Sequence, residues 1–289
     1  MTTTAATLKF DGAKAWEHLR QQVSFGPRPA GSAALLQCRR YITAQLTAAG
    51  LTPREQPFVA TTPIGKIQMA NVIATIPGKR PERIVFATHY DTKLFREFRF
   101  VGASDGASST AAVLELARVL KARQNEFTIV LLFLDGEEAT GEWTGNDHTY
   151  GSQYYVDAAK KDGSLKTLKT LILLDMIGDK NLTIRKDTYS TPWLNDIGWA
   201  SARKLSPTHR KAFLDEEFAV EDDHIPFVKA GVPSIDIIDL DYPEWHTAQD
   251  DLDHVAAGSL QIVGDVVLDA LPAIEKKLGT PARAIGFSK

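Results

Sequence analysis

Apolar residues recur along this chain in two rhythms. Over residues 12–22 they return at helical spacing, with Ala13, Trp16, Leu19 and Val23 on one face. The run Phe25-Gly26-Pro27-Arg28-Pro29-Ala30-Gly31-Ser32 breaks that pattern. Ser32 can cap a second helix that runs to about Ala49 and stops at Gly50. Residues 71–76 and 83–88 read as strands on either side of a Pro77-Gly78 turn. Residues 91–102 read as loop, with an unusual mixture of Phe95, Phe98 and Phe100 with Arg96 and Arg99. A strong helix follows over 107–122. Then come continuous apolar runs at 127–134, 168–174 and 234–238, of the kind found in strands covered on both faces. Helical spacing returns at 193–204 and 258–276. Strands alternating with helices predict an α/β fold, a three-layer α/β/α sandwich around a mostly parallel, mixed central sheet. With no internal repeat and no long linker, the expectation is one domain over 7–278 with tails at 1–6 and 279–289.

Composition narrows the function more than the fold. Over 289 residues the net charge is −3, with no clustered excess of Lys and Arg, so nothing favours nucleic acid or an anionic membrane as a partner. No stretch is read as long and apolar enough to cross a membrane. Met1-Thr2-Thr3-Thr4-Ala5-Ala6 has neither the basic nor the apolar region of a signal peptide. The single cysteine, Cys38, allows no internal disulfide. Within a helical stretch it reads as a buried small residue rather than a nucleophile.

Acidic and histidine residues gather just beyond the predicted strands. His89-Tyr90-Asp91 follows one, Asp135-Gly136-Glu137-Glu138 another, Asp175 a third, and Glu244-Trp245-His246 a fourth after a short loop. Asp105 stands before the helix at 107. In open α/β sheets, sites form outside the carboxyl ends of the strands, so five segments deliver ligand-type side chains to one edge. Each residue has an ordinary alternative. Asp105 alone is better read as a helix cap, His89 as a satisfied core histidine, and His246 as loop packing. A Glu-Glu pair usually sits in solvent, but this one abuts a buried strand, where two carboxylates are costly without a cation or proton. As a set, carboxylates and histidine without thiols suit zinc in a catalytic site with an open position.

These residues resemble the metal framework of the M28 zinc aminopeptidase family, and within that superfamily they are most similar to the glutaminyl cyclases. The likeness spans residues 25–253. It is carried by His89-Tyr90-Asp91-Thr92-Lys93, by Asp135-Gly136-Glu137-Glu138-Ala139 with Trp143 and Tyr150-Gly151-Ser152 after it, and by Leu173-Leu174-Asp175-Met176-Ile177-Gly178. It continues in Asp222-Asp223-His224-Ile225-Pro226-Phe227 and Pro243-Glu244-Trp245-His246-Thr247. Two departures stand out. Asp236 takes a position where animal cyclases carry His, and the loop before Trp245 is one residue shorter.

The resemblance implies one zinc per chain on Asp105, Glu138 and His246, and conversion of an N-terminal glutamine to pyroglutamate with release of ammonia. It implies Glu137 as the proton shuttle, with Asp175 and Asp222 completing the catalytic set. Trp143 and Trp245 become the walls of the substrate pocket, and Lys93 and Ile238 further substrate contacts. Ordinary core packing is the alternative for the tryptophans and a solvated surface position for Lys93. The implied partners are peptides or small proteins beginning with Gln, met by a monomer, in a secreted or periplasmic setting. The first rival is a two-metal aminopeptidase that adds His89 and Asp175 as ligands. The second is a non-catalytic binding module of the same fold, which the intact ligand set disfavours.

Overall fold

The computed structural model describes residues 9–280, so the expected tail at 1–6 and most of that at 279–289 lie outside the described residues. The main sheet has six strands: β1 (Arg54–Thr62), β2 (Gly65–Ile76), β3 (Arg80–His89), β4 (Phe127–Leu134), β5 (Leu168–Asp175) and, last in the chain, Ser234–Ile238. A separate two-stranded sheet pairs β6 (Ile184–Asp187) with β7 (Phe213–Phe218), which makes Ser234–Ile238 β8. The main sheet runs in the order β1-β2-β4-β3-β5-β8. β1 and β2 pair antiparallel, as do β2 and β4, while the β4-β3, β3-β5 and β5-β8 pairings are parallel. The strands flanking the Pro77-Gly78 turn are therefore not partners, because β4 lies between them.

Alternate residues of each buried strand feed opposite layers, as a two-residue side-chain period requires. Ile129, Leu131 and Phe133 of β4 join a large core with α1 (Gly12–Ser24), α2 (Ala33–Ala48), α3 (Ser109–Ala122) and two C-terminal helices, Pro192–Leu205 and Ala257–Gly279. Val130, Leu132 and Leu134 face a smaller core under α4 (Tyr150–Lys161) and the short helix His224–Lys229. In chain order the later helices are α5 (Pro192–Leu205), α6 (Pro207–Ala212), α7 (His224–Lys229) and α8 (Ala257–Gly279).

Several expectations are corrected. On α1, Ala13 is exposed and Ala15 takes its place on the buried face beside Leu19 and Val23. The strand expected at 71–76 extends back to Gly65 and forms a hairpin with β1, which the sequence reading missed. The helix expected from 107 begins at Ser109, after an irregular turn over Ala103–Ser108 in which Asp105 and Gly106 leave helical geometry. By length and composition α8 is apolar enough to cross a membrane, contrary to the sequence expectation. It is instead a core helix whose Leu260, Val263, Val267 and Leu271 pack in the large cluster. Cys38 is buried and free as expected, and burial pushes its thiol up to about 12.

The N-terminal segment is docked by one close approach. Phe10 lies over Gly264 of α8, where an added Cβ would sit 2.3 Å from the ring. Alanine would gain about 1 kcal/mol of helix propensity. Overpacking at that distance costs about 1–3 kcal/mol, so the clash wins. Gly264→Ala should lower the melting temperature, with a smaller loss when Phe10→Ala is present as well. An unchanged or raised melting temperature in the single variant would contradict this packing.

Candidate metal centre and active site

Three parallel strands end at the site. His89 is the last residue of β3 and Asp175 the last of β5, while Glu137 and Glu138 follow β4. Asp105 comes from the irregular turn before α3, and His246 from the loop after β8. The ligand atoms of Asp105, Glu138 and His246 lie within 4.8 Å of one another, as do those of His89, Asp105 and Asp175. His246 Nε2 is 3.3 Å from both Asp105 Oδ2 and Glu138 Oε1. His89 Nε2 is 3.0 Å from Asp175 Oδ1 and 3.3 Å from Asp105 Oδ1. Asp105 thus belongs to both groups and turns one oxygen to each. Its carboxylate contacts histidines, not the helix N–H groups that a simple cap would serve.

The turn that carries Asp105 depends on Gly106, at φ +87. A Cβ there would lie 2.6 Å from Asp91 O and 3.1 Å from the His89 ring. Asp250 holds the same turn from outside: its two oxygens accept the N–H groups of Ser104 (2.7 Å) and Asp105 (3.1 Å), and Tyr242 donates to it at 3.0 Å. Asp91 does the equivalent for the Glu pair, accepting from Glu137 N at 3.1 Å and Glu138 N at 3.3 Å. The His246 ring is boxed by aromatics. Trp245 stacks on it at 4.4 Å, and Phe95 and Phe100 meet it edge-on at 5.5 and 5.8 Å. His246 (φ 55) and Met176 (φ 48) both hold left-handed backbone beside the site.

So many acids in one buried place cannot all ionise cheaply. Burial raises Glu137 well above the ordinary carboxyl range; His89 opposes this, and the charges of Glu138, Asp222 and Asp223 add to it. Burial and Asp105 push Glu138 up to about 7. Burial and Asp175 push Asp222 up to about 6. Burial also raises Asp175, against the pull of His89. Desolvation works against His246, but Asp105 and Glu138 outweigh it and lift the imidazole to about 10. The donor set fits a divalent cation: two carboxylates and an imidazole without thiols, with Glu138 Oε2 buried and lacking any hydrogen-bond partner.

A cavity of about 710 Å³ opens onto these groups, and its walls include Glu137, Trp143, Asp175, Asp222, Ile238, Leu240, Trp245 and Lys93. Each residue expected at the site therefore either borders this cavity or belongs to a ligand cluster. Trp143 is stacked on His148 at 4.3 Å, and Trp245 is 43% exposed. Lys93 turns its ammonium onto the Glu-pair segment, donating to Ala139 O at 3.2 Å and lying 3.9 Å from Glu138 Oε2. Asp222 Oδ2 is buried without a partner. Asp236 is fully buried on β8, 3.6 Å from His224 Nδ1, and both its oxygens lack hydrogen-bond partners. Sequence reasoning missed Asp250 and the packing of Phe95 and Phe100 on His246. The odd Phe/Arg run was the available signal for the latter.

The sequence signature of Peptidase family M28 matches residues 71–271. A glutaminyl-peptide cyclotransferase-like protein of Bos taurus is 33% identical over 251 residues, 77% of this chain and 66% of that protein, so this chain spans just under two thirds of that relative. The crystal structure of an Acidobacteriales bacterium glutaminyl cyclase is 38% identical with a TM-score of 0.90, covering 96% of this chain and 99% of that one. A leucine aminopeptidase precursor from Bacteroides thetaiotaomicron is 30% identical with a TM-score of 0.83, covering 93% of this chain and 99% of that one. With its fold, its acid-histidine edge and these relatives in agreement, the chain belongs to peptidase family M28 and groups there with the glutaminyl cyclases.

Proposed function

We propose that this protein is a glutaminyl-peptide cyclotransferase, converting an N-terminal glutamine of peptides to pyroglutamate with release of ammonia. The observation that carries the reading is the likeness, over nearly the whole chain, to a glutaminyl cyclase of known structure. The site's chemistry supports it. Asp105, Glu138 and His246 would hold one zinc ion, with Asp91 and Asp250 fixing the segments that carry the two carboxylates. Bound zinc supplies Lewis-acid polarisation of the glutamine γ-carbonyl.

The remaining work falls to the protein. The cavity holds the side chain folded back on its own α-amine, which supplies the proximity that ring closure needs. A bond forms between the amine nitrogen and the carbonyl carbon of the side-chain amide (Cδ), and the bond from that carbon to the amide nitrogen breaks. Glu137 takes the proton released by the amine and delivers it to the departing nitrogen, so ammonia leaves neutral. Its burial suits the role, because a carboxyl raised above its ordinary range is a stronger base toward the amine proton. Asp175 is fixed by His89 Nε2 and by Met176 N at 2.8 Å. With Asp222 it orients the amide nitrogen. Trp143 and Trp245 keep out water, which would otherwise compete and give glutamate.

The cluster of His89, Asp105 and Asp175 keeps a second reading in view, a two-metal aminopeptidase. Metal content separates the two: about one equivalent per chain for the cyclase, about two for the peptidase. A Gln-initiated dipeptide should yield ammonia and a pyroglutamyl product, and the reaction should stop on chelation. Hydrolysis of leucyl anilides without any cyclisation would assign the peptidase instead. Glu137→Gln should keep the metal while kcat falls by roughly 10²–10⁴-fold; unimpaired turnover would remove Glu137 from the proton path.

Metal uptake should also depend on pH. Glu138 at about 7 and His246 at about 10 both lie above their ordinary values, so near neutrality the metal-free site holds protons that a cation must displace. Apparent affinity should therefore fall as pH drops from about 8 to about 6, with proton release visible by calorimetry in buffers of different ionisation heat. An affinity constant across that range would argue against these ligands.

A further inference from the structure

Arg28 is fully buried, yet its guanidinium is spent on backbone carbonyls. Nη1 donates to Val101 O (2.8 Å), Gly26 O (3.1 Å) and Gln22 O (3.4 Å). Nη2 donates to Gly102 O (3.2 Å), and Nε has no partner. A permanent cation satisfied only by dipoles is among the more costly groups to bury, and a neutral side chain would fill the space at less cost. What it reaches gives a reason for its presence. Val101 and Gly102 lead directly into the turn that presents Asp105. Gly102 (φ +52) is pressed so close that a Cβ would lie 2.3 Å from Asp105 O. The main chain of the same residue brackets Thr92: Arg28 N donates to Thr92 Oγ1 at 2.9 Å, and Thr92 N donates to Arg28 O at 3.1 Å. Thr92 follows Asp91, whose carboxylate holds the N–H groups of Glu137 and Glu138. One residue thus ties the segment that carries Asp105 to the segment that orients Glu138. The carboxylates that feel its charge are those of Asp250, Asp105 and Asp91.

We propose that Arg28 is a positioning residue for the metal centre, setting the spacing between the Asp105 turn and the Asp91–Glu138 segment so that the two carboxylates meet one cation. The inference rests on Asp105 and Glu138 being metal ligands and goes beyond that reading by assigning what holds them in register. Lysine keeps the charge but cannot reach four carbonyls in two segments, because it lacks the planar fork of arginine.

The test compares wild type with Arg28→Lys, Arg28→Met and Thr92→Val, the last removing only the Oγ1 acceptor. Zinc affinity is measured by competition with a chromophoric chelator, and melting temperature is measured with and without zinc. Leu131→Ala, in the core of β4, serves as a control for general destabilisation. Arg28→Lys should fold and bind zinc at least about tenfold more weakly, as loss of an outer positioning contact does. Its rise in melting temperature on loading zinc should shrink. Thr92→Val should weaken zinc in the same direction, whereas Leu131→Ala should melt lower with zinc affinity intact. If the Arg28 variants melt lower in both forms by equal amounts and bind zinc as wild type does, Arg28 is a core staple and the proposal is overturned. Should Arg28→Met fail to fold, Arg28→Lys and Thr92→Val decide the matter. A wild type that takes up no zinc ends the ligand reading and this inference together; tight wild-type binding with unchanged variants ends this inference alone.

Discussion

The organising constraint of this structure is the burial of negative charge at the carboxyl edge of its sheet. Asp91, Asp105, Glu137, Glu138, Asp175, Asp222, Asp223, Asp236 and Asp250 are all buried, most of them within reach of His89, His224 or His246. Water would solvate such charges; the protein interior does not. The surrounding architecture supplies substitutes for that solvation. Backbone N–H groups are aimed at Asp91, Asp250 and Asp175, imidazoles at Asp105 and Asp175, and the Lys93 ammonium stands off Glu138. Where burial and a neighbouring carboxylate outweigh those substitutes, protons are retained, which is why Glu138, Asp222 and Asp250 sit near neutral pH rather than in the carboxyl range. The site is poised either to take up a cation or to pass a proton, and those are the two things the proposed chemistry asks of it.

That arrangement is held against local strain. Thr149, Met176 and His246 all adopt left-handed backbone without being glycine. Such residues cost of order 1–3 kcal/mol each and persist only where the surroundings over-determine them. Here the surroundings are identifiable. Thr149 N is bound to Glu137 O at 2.7 Å, Met176 N to Asp175 Oδ1, and His246 is boxed by Trp245, Phe95 and Phe100. The parallel strands β3, β4 and β5 form the rigid base, so the irregular turns beyond them are fixed at one end by sheet pairing.

What the sequence revealed follows from how each feature is encoded. β4, β5 and β8 are buried on both faces and read as apolar runs, and the acids that end them were legible as a row. β1 was not, because an edge strand with Pro57 and mostly exposed residues lacks both an apolar run and a strict alternation. β6 and β7 are short and charged, and α6 and α7 are six residues each, too short to show a helical period. α8 is legible as a helix from its apolar spacing, while Asp265, Asp269 and Glu275 break its apolar residues into short runs that hide its membrane-like average composition. At the site, ligand types at strand ends could be read directly. The positioning role of Asp250 could not, since a carboxylate that accepts backbone N–H groups 145 and 146 residues away leaves no spacing to detect.

The number of metals turns on one imidazole. His89 sits between Asp175, Asp105 and Asp91, and although burial alone would strip its proton, those carboxylates raise it well above the ordinary histidine value. A protonated His89 is itself the cation of the second cluster: it satisfies Asp175 Oδ1 and the inner oxygen of Asp105 without any ion. To act as a ligand it would first have to lose that proton, and a cation would have to replace what the proton supplies to three carboxylates. At the outer group the only internal cation is His246 itself, which faces the carboxylates of Asp105 and Glu138 alone where His89 faces those of Asp91, Asp105 and Asp175, so less is lost when a metal takes the place of its proton. The two groups share a residue but differ in what a metal must displace, and that difference is the physical ground for proposing a single ion at the outer one, with His89 and Asp175 remaining a hydrogen-bonded pair beside it.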